Sequence, residues 1–249
     1  MSIKKIGVVH SNKTDVFLDK KFPVRIDQYW YQNGALNALK EAGIEAEMVE
    51  TESLTSTDLN ESYGALLLDN VLCVTDEEVN ALRKFQLNGG GIVAMFGATA
   101  RQPDGSIRED MALADIFHVS CGSDPVTEQW NEQPFGYIFM ATHHPVTENF
   151  ALGSRLMYSR ILVPIWAPRL TVHPGGLVVA TLGDFIGQDL GLPAVVVSEN
   201  GKGRCVYCGP SLSYRLSEPR IPQDTDNLKS FVVNMVRWSA GLVYQEINS

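Results

Sequence analysis

The chain has 249 residues, of which 45% are hydrophobic, and it carries 29 acidic against 20 basic side chains for a net charge of −9. This length and apolar content suffice for one large domain or two small ones with a sizeable core. The acidic balance, with no basic run, argues against a nucleic-acid-binding protein. No apolar run approaches the roughly 20 residues of a membrane helix, and no signal-peptide pattern precedes the first strand. We therefore expect a soluble cytoplasmic protein.

The first hundred residues alternate between strand and helix patterns. Apolar runs predict strands at residues 3–10, 45–50, 64–70 and 92–96. Residues 26–44 have helical spacing, which predicts a helix whose buried face carries Tyr29, Leu36, Leu39 and Ala42. Residues 11–25 are polar and show no clear period, so we expect an irregular segment there.

A second helix pattern has a clear beginning and end. Thr75 followed three residues later by Glu78 predicts a capping box, and the glycines at 89–91 end the pattern. Val79, Leu82 and Phe85 form its predicted buried stripe. Alternating strands and helices with continuously apolar strands favour a doubly wound parallel sheet, and therefore an α/β fold.

The second half of the chain changes character. Strand-like stretches at residues 135–142, 160–166, 169–173, 176–185, 192–199 and 203–209 predict a β-rich insertion at about residues 135–210. Asn200-Gly201 predicts a hairpin turn between the last two stretches. Residues 226–242 are amphipathic and predict a helix that returns to a core formed by about residues 3–120 and 211–245.

The four cysteines do not form a recognisable metal pattern. Cys205 and Cys208 are spaced as C-x-x-C, but a zinc site needs a second ligand pair, and Cys73 and Cys121 stand alone. Because neighbouring positions of a strand alternate in direction, Cys205 and Cys208 should point to opposite faces of a sheet. We interpret them as small core residues and expect no metal and no cofactor.

Four stretches, taken in order, resemble a known family. Residues 65–97, 104–119, 143–150 and 200–209 are similar to the β-galactosidase trimerisation domain of the class I glutamine-amidotransferase-like superfamily, and the resemblance covers roughly residues 3–241. It implies a flavodoxin-like fold and a single domain over residues 1–249. In that family the domain helps to hold a glycosidase trimer together. The chain would then be a free-standing relative or an excised domain.

The resemblance also raises the question of amidotransferase chemistry. Active members of the superfamily place a cysteine directly after the strand that matches residues 92–96, and this chain has Phe96 and Gly97 there. No Cys or Ser lies between Gly89 and Arg101. Thiolate catalysis needs a nucleophile, an adjacent base and an orienting group. The sequence therefore predicts that the protein is not a glutaminase, and it leaves open whether it is another kind of enzyme.

Polar residues follow several predicted strands, where a doubly wound sheet binds its ligands. Asn, Asp and Ser also favour turns at such positions, so a binding pocket and plain turn chemistry both remain open. His143 and His144 could supply a base or a hydrogen-bond donor, or could form a structural turn. The candidate crevice residues are His10, Asn12, Arg25, Asp69, Asn70, Thr99, Arg101, His143 and His144.

Aromatic residues cluster at the start of the first predicted helix, close to Arg25 and Asp27. Such a cluster can form a sugar platform or an interface hot spot, or it can pack on the sheet. We expect packing for Tyr29 and leave Trp30 and Tyr31 open.

Two functional hypotheses follow. The first is a non-catalytic domain for oligomerisation or ligand binding, linked to carbohydrate metabolism, which self-associates as a dimer or trimer. Its interface would be residues 29–31 or the stretch with Ile165, Trp166 and Leu170. The second is a small-molecule or carbohydrate-linked hydrolase that uses the crevice at the carboxyl ends of the strands. A small-molecule or sugar ligand is compatible with either.

Overall fold

A computed structural model describes residues 4–22, 27–56, 58–121 and 135–242 of the chain. Its strands are β1 (Lys5–His10), β2 (Ala46–Glu50), β3 (Tyr63–Asp69), β4 (Gly91–Met95), β5 (Val119–Ser120), β6 (Phe135–Met140), β7 (Arg155–Met157), β8 (Thr171–Val172), β9 (Leu177–Asp184), β10 (Asp189–Asn200) and β11 (Gly203–Cys208). Its α-helices are α1 (Asn12–Lys21), α2 (Gln28–Glu41), α3 (Leu59–Ser62), α4 (Asp76–Leu87), α5 (Ala114–Phe117), α6 (Leu212–Ser217) and α7 (Thr225–Ser239).

The main sheet has the order β2-β1-β3-β4-β11-β10-β9-β6-β7. Its first five strands are parallel, and their order is that of a flavodoxin-like sheet in which β11 takes the fifth place. The predicted fold class, a doubly wound α/β sheet with a β-rich segment in the second half, is confirmed.

Most of the β-rich segment extends this sheet, whereas β8 pairs with β5 in a separate two-stranded sheet. Strands β10, β9, β6 and β7 join the main sheet in antiparallel fashion beyond β11. The hairpin turn predicted at Asn200-Gly201 lies between β10 and β11. The strand predicted at residues 160–166 is wrong, since only an isolated bridge joins Arg160 to Val163. Pro164 and Pro168 interrupt any ladder in that stretch.

Helices cover both faces of the sheet. One core cluster packs α2, α6 and α7 against the sheet, and it contains Cys208. The other packs α4 and α5 against the opposite face, and it contains Cys205. The two cysteines thus point to opposite faces, as predicted. The stripe of α4 is buried, and both bonds of the Thr75–Glu78 capping box form.

Two local predictions near the N-terminus are wrong. Residues 12–21 form α1, whose first turn is capped by the Ser11 hydroxyl and whose buried positions are Thr14 and Leu18. Two buried residues make too narrow a stripe for a periodicity argument to detect. In α2, Tyr29 is 41% exposed whereas Tyr31 is buried, so the aromatic that packs inside is two positions later than expected.

Candidate functional site

The topological switch point lies between β1 and β3, where the strand order reverses direction. Side chains of α2 fill this position. The Gln32 amide donates to the Val9 carbonyl at 2.8 Å and lies 3.5 Å from the Asp69 carbonyl, so it bridges the ends of β1 and β3. The point at which such folds usually admit a ligand is therefore occupied by the protein's own glutamine.

His10 is fully buried beside this glutamine. Its Nδ1 lies 3.1 Å from Gln32 Oε1, and its Nε2 lies 3.2 Å from an Asp15 carboxylate oxygen, without the alignment of a hydrogen bond. Because the Gln32 amide nitrogen donates to Val9, its oxygen faces His10 and requires a proton on Nδ1. The Tyr29 ring stacks on the imidazole at 3.8 Å and its hydroxyl donates to Glu50.

The surroundings of His10 shift the pKa of its imidazole. Burial lowers the pKa of the imidazole, but the adjacent Asp15 carboxylate, the Gln32 amide oxygen and the Glu50 carboxylate outweigh that effect and leave the pKa above its ordinary value. Nδ1 faces Gln32 Oε1, Nε2 lies beside the Asp15 carboxylate without an aligned bond, and no part of the ring reaches solvent. His10 is thus a structural element of the switch point in this conformation.

Asp69 and Asn70 end β3 in the same region. Asp69 is fully buried, and its Oδ2 accepts from the Ser213 backbone N–H at 2.9 Å. Burial raises the pKa of this carboxyl to about 6, although bonding from Ser211 and Ser213 opposes the rise. Asn70 has a φ of 56°, and its amide donates to the Tyr31 hydroxyl at 2.9 Å. A buried carboxyl that titrates near neutrality is a mark of functional sites.

The turn after β4 has a left-handed backbone at a position that carries no nucleophilic side chain. Phe96 has a φ of 58°, a left-handed conformation that is strained for a bulky side chain. Its N–H donates to the Cys208 carbonyl at 2.9 Å, and its carbonyl accepts from the Tyr207 hydroxyl. The strained turn after the strand is present, but the side chain at its apex is a phenyl ring.

Thr99 and Arg101 hold the following loop. Thr99 is buried with a φ of 65°, and its N–H donates to the Val71 carbonyl at 2.8 Å. The Arg101 guanidinium lies 4.2 Å from the centre of the Phe17 ring and also donates to the Gly105 carbonyl at 2.5 Å. These contacts connect the loop to α1, and they give both residues a structural part in this conformation.

His143 and His144 lie at the other edge of the sheet. They follow β6, which is antiparallel to β9, while β9 runs in the same direction as the parallel strands. The end of β6 therefore faces the amino ends of those strands, and the His144 ring contacts Trp238 near the end of α7 at 4.7 Å. His144 also caps the following turn through its Nδ1. The geometry does not bring this pair to the crevice.

Two candidates of the predicted crevice remain, Asn12 and Arg25. Asn12 is exposed, with its amide 3.5 Å from a Glu50 carboxylate oxygen, and Arg25 falls outside the described residues. Across residues 4–22, 27–56, 58–121 and 135–242, no group of three or more His, Cys, Asp or Glu side chains could hold a metal ion. No helix in the same ranges is long and apolar enough to cross a membrane.

Sequence reasoning missed three members of this region. Gln32 and Tyr31 of α2 and Ser213 of α6 contact the strand ends directly. One signal was present, because Gln28 and Gln32 stand four residues apart and share a helix face. Nothing local to Ser213 indicates that its backbone caps a carboxylate 144 positions earlier in the chain.

Comparison of the sequence with protein-family models and with curated proteins gave no match. Among solved structures, the β-galactosidase of Bacillus circulans sp. alkalophilus matches with a TM-score of 0.69 and 15% identity over 94% of this chain. That of Rahnella sp. R3 matches with a TM-score of 0.70 and 15% identity over 96%. The chain spans 31% of the length of each of these two enzymes.

A shorter neighbour has a size similar to that of this chain. A cytoplasmic protein of Salmonella typhimurium LT2 matches with a TM-score of 0.59 and 14% identity, over 94% of this chain and 99% of its own length. The fold thus occurs as nearly the whole of one chain and as part of another. At these identities the likeness concerns the fold, and it confirms what the sequence resemblance implies: this chain has the fold of a part of β-galactosidases that spans about 31% of those chains.

Proposed function

We propose that the chain is a non-catalytic, cytoplasmic association domain, a single unit over residues 1–249, that serves carbohydrate metabolism as a dimer or trimer. The link to carbohydrates is supported by the β-galactosidases that share the fold, and the location by the neighbour described as a cytoplasmic protein. One observation carries the association: a group of large apolar side chains is left in solvent at one end of the antiparallel strands.

We call this group the Leu162 surface; its main members are Ile161, Leu162 and Ile186, which are 73%, 90% and 84% exposed. The segment after β7 carries Ile161 and Leu162, the turn after β9 carries Ile186, and both segments approach Gly136. The Gly136 carbonyl accepts from the N–H groups of Tyr158 and Ser159 in the first segment. A Cβ built at Gly136 would lie 3.0 Å from Phe185 Cα.

Two further apolar side chains lie on the same segments. Trp166 and Leu190 are each more than one third exposed. Several exposed large apolar side chains on neighbouring segments of a domain are typical of an interaction site. Aromatic anchors such as Trp166 carry a large share of the energy in interfaces.

The structure revises which residues of the predicted interface are accessible. Ile165 is buried, Leu170 packs partly against the core, and Tyr31 lies inside the molecule. The exposed members of the two predicted segments are Tyr29 and Trp30 in the first and Ile161, Leu162 and Trp166 in the second.

Pairing through the β7 edge of the sheet is not the mode of association that the geometry favours. Strand β7 at one edge has three residues, and the Met157 N–H donates to an Asp224 carboxylate oxygen at 2.9 Å. A short edge strand whose donor is already bonded offers little to a partner strand. Association through side chains of the Leu162 surface fits better.

Sedimentation equilibrium at micromolar protein tests the proposal. The wild type should run as a dimer or trimer, and Leu162→Arg should run as a monomer, because a buried unpaired charge is costly at an interface. Leu87→Arg is the matched control, since Leu87 is 57% exposed on α4 and should leave the assembly intact. A monomeric wild type, or equal effects of the two variants, would refute association through this surface.

The alternative is a hydrolase that uses the carboxyl edge of the parallel strands. Asp69 favours it, because a carboxyl with a pKa of about 6 can exchange protons near neutral pH. The enclosure of His10 and the lack of a nucleophile at Phe96 weigh against it. Hydrolysis of p-nitrophenyl galactoside that is abolished in Asp69→Asn would establish the enzyme; its absence in the wild type would disfavour a galactosidase.

A further inference from the structure

Three buried polar atoms near the end of β3 have no aligned hydrogen-bond partner: Asp69 Oδ1, Asn70 Oδ1 and Ser213 Oγ. The first and third residues are fully buried and Asn70 is 9% exposed. The hydroxyls of Ser211 and Ser213 lie close enough to the Asp69 carboxyl to lower its pKa, but the Ser213 hydroxyl makes no aligned bond with it. The backbone bond from Ser213 to Asp69 and the chain adjacency of Asp69 and Asn70 place all three groups at one location. Burying polar groups without partners is unfavourable, so their concentration at one strand end needs an explanation.

The Tyr31 phenol is a fourth polar group at this location. Its oxygen accepts from the Asn70 amide at 2.9 Å, which leaves the phenolic proton available to an acceptor. The negative charge of Asp69 contributes to a pKa of Tyr31 well above the ordinary value, behind the larger effect of burial, so the hydroxyl stays protonated. Two carbonyl-type oxygens, one serine hydroxyl and one phenol therefore offer both acceptors and donors.

Helix α6 covers this location. It carries Ser213, and the Ser217 hydroxyl at its end donates to the Trp30 and Tyr31 carbonyls of α2 at 2.9 and 3.2 Å. The helix has six residues and no side-chain bond at its N-cap. Access to the buried atoms requires this short element to move.

Aromatic side chains form the border between α2 and α6. Trp30 is 43% exposed and meets the Tyr214 ring edge-on at 5.5 Å, and Tyr31 lies 6.2 Å from the same ring. A polar floor with an aromatic border suits a ligand that has hydroxyl groups and an apolar C–H face.

We propose that the Asp69–Ser213 location, covered by α6, binds a small polyhydroxyl compound of monosaccharide size. Hydroxyl groups both donate and accept, so one ligand can satisfy Asp69, Asn70 and Ser213 as well as the Tyr31 phenol. An anion would be repelled by the Asp69 carboxylate. An ammonium group would serve the carboxylate but would leave the protons of Tyr31 and Ser213 without acceptors.

Calorimetric titration with galactose, glucose and glycerol tests the proposal, with acetate and ethylammonium as charged probes. We expect saturable binding of at least one sugar and none of either charged probe. Binding of ethylammonium alone would show that the location takes a cation and not a polyhydroxyl compound, and would overturn the proposal. Failure of all three polyols to bind would overturn the proposal and assign the unpartnered atoms to bound water.

Variants locate any binding that is seen. Asp69→Asn removes a charged acceptor and should weaken sugar binding about tenfold or more, and Ser213→Ala should weaken it severalfold. Ser230→Ala is the matched control, because the Ser230 hydroxyl donates to the Asp226 carbonyl on the exposed face of α7, away from the site. Unchanged affinity in both site variants would place the sugar elsewhere and refute the assignment. The readout is independent of the oligomeric state, so failure here leaves the association proposal standing.

Discussion

Replacement of Asp69 by Asn should stabilise the protein at neutral pH. The carboxyl is fully buried, and its pKa rises from 3.8 to about 6 because burial penalises the charged form. Asparagine has nearly the same shape, carries no charge and keeps a carbonyl-type oxygen that can accept the Ser213 N–H. The variant thus removes the burial penalty and retains the one bond that orients α6.

The sign and the size follow from linkage. A pKa that is higher in the folded state means that the folded protein binds more protons between pH 3.8 and about 6, so the wild type loses stability as pH rises through that window. A rise of about two pKa units corresponds to about 3 kcal/mol at pH values above the window. The gain of Asp69→Asn over the wild type should therefore be small near pH 4 and reach about 3 kcal/mol near pH 8.

Urea unfolding of both proteins across this pH range measures the difference. Asp104→Asn is a control of opposite sign, since bonds from Ser106 lower the pKa of exposed Asp104. That variant should lose stability relative to the wild type at neutral pH. A gain of Asp69→Asn that does not depend on pH, or a loss at pH 8, would refute the assignment of a buried carboxyl with a raised pKa.

Four further results are expected. Thr75→Ala should cost about 1 kcal/mol in urea unfolding, because it removes a capping-box bond of α4. Gly34→Ala should destabilise the protein by about 1–3 kcal/mol, because its Cβ would lie 2.6 Å from a carbonyl oxygen of α6. Gly64→Ala is the control, because its Cβ would have no neighbouring atom closer than 3.4 Å. Equal losses of stability in the two variants would contradict the close approach of α6 to Gly34. Cys205→Ser with Cys208→Ser should leave the metal content of the purified protein at zero, and the wild type should release no ammonia from glutamine; stoichiometric zinc in the wild type or thiol-sensitive glutaminase activity would contradict these expectations.

The fold class was accessible from sequence because each element carries its own periodicity. Val79, Leu82 and Phe85 recur at helical spacing, and residues 92–96 are apolar throughout. Which face of α2 is buried could not be predicted in the same way. Its buried face includes Gln28 and Gln32 beside Tyr31, and a buried amide is recognised only when its partner, such as the Val9 carbonyl, is known.

Strand direction limited the prediction of the site. Residues after β3 and β4 were expected to share one edge, and they do, because successive strands of this half are parallel. His143 also follows a strand, but that strand pairs with β9 in antiparallel fashion, and pairing between distant segments is not written in local pattern. Another pairing of distant segments places β11 beside β4. Because α6 follows β11, this pairing also brings the Ser213 backbone N–H to Asp69.

The two proposals concern different parts of one sheet, and that separation is itself testable. The polar location lies at the ends of the parallel strands under α6, whereas the Leu162 surface lies on loops of the antiparallel extension. Leu162 is 90% exposed and Asp69 is fully buried, and substitutions at positions that do not touch usually contribute additively to stability and binding. The sugar affinity of Leu162→Arg should therefore equal that of the wild type, and Asp69→Asn should assemble like the wild type. A sugar that changes the association constant would contradict this independence and require an element with two states that contacts both places, because coupling between sites is reciprocal.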